Sequence, residues 1–191
     1  MPSRSFYFLR HGQTDWNKEE RMQGHTDIPL NETGREQARG ALTILADHQI
    51  DVIYASPLSR AYETAQIVNE TRRAPLVSHE DLKERYYGSN EGLTFTEILA
   101  KAEKHPELFQ AKVSKFPHPL DAEPIDDLKK RAVAAVKSAL EKHEGNVLFV
   151  AHGGVFSAIH HVLIKGEYTR SENAVPYRFQ IDSGVWTCER L

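Results

Sequence analysis

Short runs of apolar residues alternate along the chain with stretches in which apolar positions recur every three or four residues, the pattern of strands alternating with amphipathic helices. Phe6-Tyr-Phe-Leu9 is an aromatic and aliphatic run that stops at Arg10-His11-Gly12, so it predicts a buried strand delivering Arg10 and His11 to its carboxyl end. Thr33-Gly-Arg-Glu36 has capping-box spacing, and Ala38, Ala41, Leu42 and Leu45 extend a helix to about Asp47. A second strand is predicted at Asp51–Ala55. Ser56 then caps a helix with Pro57 at its first position, Arg60 in its first turn and Leu58, Ala61, Ala65 and Val68 as its inner stripe.

The pattern loosens between Leu82 and Leu120, where Gly88, Gly92, Pro106, Pro117 and Pro119 interrupt short helical stretches such as Thr94–Glu103. This reads as an excursion over one end of the sheet. Asp126 and Asp127 open a helix with apolar positions Leu128, Ala132, Ala135, Val136 and Ala139, and their charge suits the positive end of its dipole. Asn146–Ala151 is the most continuous strand run. Beyond His152-Gly153-Gly154, Val155, Ile159, Val162 and Leu163 resume helical spacing, and Tyr177–Ile181 with Val185–Cys188 alternates around Asp182-Ser-Gly184, which predicts a closing hairpin or edge strands. Together these elements predict an α/β fold, a three-layer α/β/α sandwich on a mainly parallel sheet, in which ligands sit beyond the carboxyl ends of the strands.

Length supports one domain over residues 1–191, since 191 residues bury one sizeable core but not two. With 40% apolar and 27% charged residues, disorder and fibre are excluded. A net charge of -3 gives no global positive field for nucleic acid or an anionic membrane, so any charge that binds phosphate must be local. Cys188 is the single cysteine, which excludes an internal disulfide and multi-cysteine zinc sites and predicts a reducing, cytoplasmic setting. The N-terminus has no stretch apolar enough for a signal peptide, and no run approaches the ~20 apolar residues of a membrane span.

Two of the strongest strand runs end in histidine, and Arg10 and Arg60 are placed to converge on the same face. Two guanidiniums form a fork suited to phosphate oxygens. A neutral imidazole attacks phosphorus when one nitrogen faces the phosphoryl group and the other is held by a backbone carbonyl, which makes His11 a candidate phosphohistidine. Arg10, Arg60, a protonated or donor His152 and the N–H groups near Gly153 and Gly154 are the fixed donors for the transferring group, and no metal is required. Ion pairing with Asp or Glu is the alternative for either arginine.

Five blocks of the chain resemble, in order, those of the histidine phosphatase superfamily, also called phosphoglycerate mutase-like. They are Leu9-Arg-His-Gly-Gln-Thr-Asp-Trp-Asn17, Gln23-Gly-His-Thr-Asp-Ile-Pro-Leu-Asn-Glu-Thr-Gly34, Ala55-Ser-Pro-Leu-Ser-Arg60-Ala-Tyr-Glu-Thr-Ala65, Leu82-Lys-Glu84-Arg-Tyr-Tyr-Gly-Ser-Asn-Glu-Gly92 and Val150-Ala-His-Gly-Gly154. The resemblance implies that His11 is phosphorylated, that Arg10, Arg60 and His152 hold phosphoryl oxygens with Asn17 and Gly153 adding donors, and that Gln23 and Gly24 lie against the substrate. It implies that Glu84 protonates the leaving oxygen and then activates water. Nearby cations favour an ionised Glu84 in the empty pocket and a dianionic substrate opposes them, so a mildly acidic optimum is expected. Glu91 is the competing carboxylate, and its place before Gly92 reads as structural.

The glycolytic mutases of the family carry paired arginines after the position of Gly92, whereas this chain has Lys101, Lys104, Lys112 and Lys115 but no arginine between Gly92 and Leu120. Hydrolysis of a small-molecule phosphate ester is therefore expected over mutase chemistry. Ala122-Glu-Pro124 stands where many relatives have Gly-Glu-Ser. Phe95, Leu108, Phe109 and Phe116, within an excursion of about residues 93–120, form either a lid or a satellite core. Ten histidines raise a metal reading, but no His-Glu-x-x-His or Cys/His spacing occurs. An α/β nucleotide-binding module lacks its glycine patterns, and a serine hydrolase lacks its G-x-S-x-G elbow.

Overall fold

The computed structural model describes residues 1–110, 117–165 and 169–191. Lys112, Lys115 and Phe116 lie outside the described residues. Six strands form one sheet: β1 (Phe6–Arg10), β2 (Val52–Ala55), β3 (Leu76–Ser78), β4 (Val147–Ala151), β5 (Pro176–Asp182) and β6 (Val185–Arg190), in the order β3-β2-β4-β1-β5-β6. β1, β2, β3 and β4 are mutually parallel, while β5 runs antiparallel to β1 and β6. The helices are α1 (Asp15–Lys18), α2 (Glu32–Leu45), α3 (Ser59–Val68), α4 (Phe95–Lys104), α5 (Ile125–Lys142) and α6 (Gly153–Ile164).

Strand alternation divides the core into two layers. Phe6, Phe8, Val147 and Phe149 face α5 and α6, where Leu128, Ala132, Val136, Phe156 and Ile159 complete the packing. Tyr7, Leu9, Leu148 and Val150 face Ala41, Leu45, Ala65 and Val68 of α2 and α3. Central strands buried on both faces explain why β1 and β4 read as continuous apolar runs.

Two helix starts differ from the sequence expectation. Asn31, rather than Thr33, caps α2: its side chain accepts the Gly34 N–H at 2.9 Å, and the helix ends at Leu45 rather than near Asp47. Asn31 is the stronger capping residue of the two, and its bonds to Gln13 and Asp15 tie that cap to the segment after β1. Ser56 does not cap α3, which begins at Ser59 with Leu58 before it and no side-chain cap. Within the described residues of the excursion from Leu82, Thr94 and Glu97 form a capping box on α4, and Phe109 bridges Pro119.

Candidate active site

The strand order puts the carboxyl ends of β2, β4 and β1 side by side, with His152 following the middle one. Backbone bonds continue past each strand, Ser56 N–H to the Val150 carbonyl and His11 N–H to the Ala151 carbonyl, both at 3.0 Å. His11 extends the row of Tyr7 and Leu9, and His152 that of Leu148 and Val150, so both rings emerge on one side with centroids 5.2 Å apart. Gly12 follows because an added Cβ would lie 2.3 Å from the Gly34 carbonyl oxygen at the start of α2.

His11 is 3% exposed, and its Nδ1 lies 2.7 Å from the Gly12 carbonyl. A carbonyl only accepts, so Nδ1 carries the proton and Nε2 keeps a lone pair. Burial holds the imidazole well below its usual pKa, and the Arg10 and Arg60 guanidiniums push it the same way. The ring is therefore held neutral beside two cations. His152, wholly buried, is also held well below the usual histidine range, by burial first and then by Arg60, His11 and Arg10. Its Nε2 lies 2.8 Å from Ser56 Oγ.

Arg60 is anchored through both terminal nitrogens and Arg10 through one, and each leaves its Nε open. Arg60, 0% exposed, donates to the carbonyls of Thr26 at 2.9 Å and Gly24 at 2.7 Å. Arg10 donates to the Ser171 carbonyl at 2.9 Å. Arg10 Nε, Arg60 Nε, His152 Nδ1 and Gln23 Oε1 are buried without a hydrogen-bond partner. Three of these belong to the residues expected to surround a phosphoryl group, and buried polar atoms left unpaired are costly unless a ligand meets them.

Glu84 is buried in the same pocket, accepting from the N–H of Arg85 at 2.8 Å and of Gly154 at 3.0 Å. Both active-site guanidiniums interact electrostatically with it. Its backbone is held by Arg131, which donates to the carbonyls of Asp81, Lys83 and Glu84 and pairs through two nitrogens with Glu123. Glu123 belongs to the Ala122-Glu-Pro124 segment, so that segment supports the loop bearing Glu84. Glu91 spends both carboxylate oxygens on the N–H groups of His25, Thr26 and Tyr87 and on the Thr26 hydroxyl, which fixes the loop whose carbonyls receive Arg60.

The other expected residues fall around this centre. Asn17 is the third residue of α1, with its Oδ1 occupied by Thr14 and Asn173. Its Nδ2 is the group left to donate. Gly153 begins α6 against the Arg10 guanidinium, and Gly24 supplies a carbonyl to Arg60. Lys101 turns to the Ser89 carbonyl and hydroxyl, and Leu108 is 45% exposed. Sequence reasoning missed Ser171 and Asn173. Asn173 Nδ2 donates to the His11 carbonyl at 2.9 Å across 162 positions, from an aperiodic polar stretch before β5 that carries no local signal.

A model of the histidine phosphatase superfamily (branch 1) matches residues 6–191. The chain belongs to that superfamily and is a phosphatase of it. It is 39% identical over 151 residues to the Bacillus subtilis protein named "uncharacterized phosphatase PhoE", spanning 79% of this chain and 72% of that one. It is 38% identical over 158 residues to a metal-independent phosphoserine phosphatase of Arabidopsis thaliana, spanning 80% of this chain and 65% of the relative. Among solved structures it resembles a mycobacterial glucosyl-3-phosphoglycerate phosphatase in complex with VO3, at TM-score 0.83 and 30% identity, covering 98% of this chain and 98% of that one. Among the described residues no helix is long and apolar enough to cross a membrane.

Proposed function

We propose that this chain hydrolyses a small phosphorylated metabolite through a phosphohistidine on His11, with no metal ion. The observation that carries the reading is the bond from His11 Nδ1 to the Gly12 carbonyl, which leaves the Nε2 lone pair of a neutral ring between two guanidiniums. In the first step Nε2 bonds to phosphorus, the ester P–O bond breaks and Glu84 gives its proton to the departing oxygen. Water then attacks phosphorus, Glu84 takes its proton, and the N–P bond breaks to release phosphate. Arg10, Arg60, Asn17, His152 and the Gly153 N–H hold the equatorial oxygens, with Gln23 and Gly24 beside the ester. Positive charge comes from the arginines, and among the described residues no three His, Cys, Asp or Glu side chains gather to hold a metal.

The names of the phosphoserine and glucosyl-3-phosphoglycerate phosphatase relatives support a small metabolite as substrate. Hydrolysis is favoured over mutase chemistry by the lack of arginine between Gly92 and Leu120. A single cysteine supports a cytoplasmic setting. The test is phosphate release, with a chelator present, from a panel of monoesters including phosphoserine and 3-phosphoglycerate, comparing wild type with His11→Ala. Release abolished by the substitution supports the reading. Isomerised phosphoglycerate without release, or release by His11→Ala at the wild-type rate, contradicts it.

A further inference from the structure

We infer that Ser56 fixes the ring tautomer of His152, so that His152 presents an N–H at Nδ1, rather than a lone pair, to the transferring phosphoryl group. The role at phosphorus rests on the hydrolase reading above; the tautomer rests on hydrogen-bond geometry alone. Ser56 is wholly buried at the end of β2, and its Oγ lies 3.3 Å from Leu58 N and 2.8 Å from His152 Nε2. A backbone N–H only donates, so Leu58 takes one lone pair of Oγ. The hydroxyl proton is then directed to Nε2 of His152, which must carry a lone pair to receive it.

The reverse arrangement, with Nε2–H donating to Oγ, would leave the proton of a fully buried hydroxyl without an acceptor, which folded proteins avoid. With Nε2 accepting, the proton of the neutral ring sits on Nδ1. Nδ1 is itself buried and unpartnered, like the open Nε atoms of Arg10 and Arg60. A donor there meets a phosphoryl oxygen, whereas a lone pair would repel it. Because burial and the neighbouring cations keep the ring neutral, the choice of tautomer decides what the site offers. Ser56 touches His152 and not the substrate's reacting atoms, so it is a positioning residue, tied to a partner 96 positions away.

The test is carried out on the full chain labelled with 15N-histidine, with the His152 ring assigned by its loss in His152→Asn. In wild type the ring is expected to show a protonated Nδ1 and an unprotonated Nε2. In Ser56→Ala the two nitrogen resonances are expected to move toward each other as both tautomers become populated. Turnover of a phosphate monoester should fall about 10- to 100-fold, as when outer partners that orient metal-bound imidazoles are removed. Inhibition by vanadate should weaken in parallel. Ser56→Thr, which keeps the hydroxyl, should restore the wild-type ring signature and most of the turnover. An unprotonated Nδ1 in wild type overturns the inference, as does Ser56→Ala with turnover and vanadate affinity within twofold of wild type. A protonated Nδ1 in a chain that hydrolyses no ester would instead sink the hydrolase reading and leave the Ser56–His152 bond standing.

Discussion

Gly154→Ala isolates the contribution of the Glu84 carboxylate. An added Cβ at Gly154 would lie 2.3 Å from Glu84 Oε1 and 3.3 Å from the Tyr87 hydroxyl, so the carboxylate must retreat by about 1.1 Å to reach the 3.4 Å of ordinary contact. Tyr87 and the two N–H bonds to Glu84 limit how that retreat is made. A displacement of about 1 Å in a reacting group costs about 100-fold in rate, or about 2.7 kcal/mol of barrier. Gly154 is not at positive φ and lies in the first turn of α6, so alanine suits the backbone and contributes up to about 1 kcal/mol of helix propensity. Activity should therefore fall while thermal stability holds. The assay compares kcat of wild type and variant on phosphoserine, whose alkoxide leaving group needs a proton, and on p-nitrophenyl phosphate, whose leaving group needs little help. The expected result is a loss of about 100-fold on phosphoserine and a much smaller loss on the aryl ester. Wild-type kcat on phosphoserine with an unchanged melting temperature would refute the assignment of Glu84 as the acid.

Three further outcomes follow from the same geometry. Arg131→Met removes five hydrogen bonds and leaves the Glu123 carboxylate without its ion-pair partner, so it should destabilise by about 2–4 kcal/mol, read as a drop of about 5–10 °C in Tm, and lower kcat by loosening the loop that bears Glu84. Arg60→Lys keeps the charge but cannot serve the Thr26 and Gly24 carbonyls and the pocket at once, so kcat/KM should fall about 100-fold or more, measured by steady-state kinetics. His11 and His152 resist protonation when folded and accept it near pH 6.5 when unfolded, so the unfolded state binds more protons below that pH and stability falls as pH drops. The slope should reach about 1.4 kcal/mol per pH unit for each ring in urea unfolding between about pH 6.5 and 5, and the double variant His11→Gln/His152→Gln should flatten it.

What the sequence made legible was whatever its local pattern encodes. β1 and β4 are apolar runs because they are buried on both faces, and each ends at a histidine because the chain leaves the sheet there. The stripe of α5 appears intact in the core, from Leu128 to Ala139. Ser56 was misread for a physical reason: Ser-Pro before a helix is a strong capping signal, and only the packing of β2 against β4 shows that its hydroxyl belongs to His152. Asn173 lies in a stretch with no period, so its bond to the His11 carbonyl depends on how β5 returns beside β1. Likewise, the support of Glu84 by Arg131 joins a helix surface to a loop 47 positions away, and nothing in either segment alone announces it.

The central claim is that His11 carries the phosphoryl group between substrate and water. The most direct measurement mixes enzyme with a radiolabelled phosphate monoester, quenches within a single turnover in base, and maps the label to a peptide. The account predicts a base-stable, acid-labile label on the peptide containing His11, absent from His11→Asn and formed before phosphate appears. Turnover with no labelled protein at any quench time, or a label that persists in His11→Asn, would contradict it.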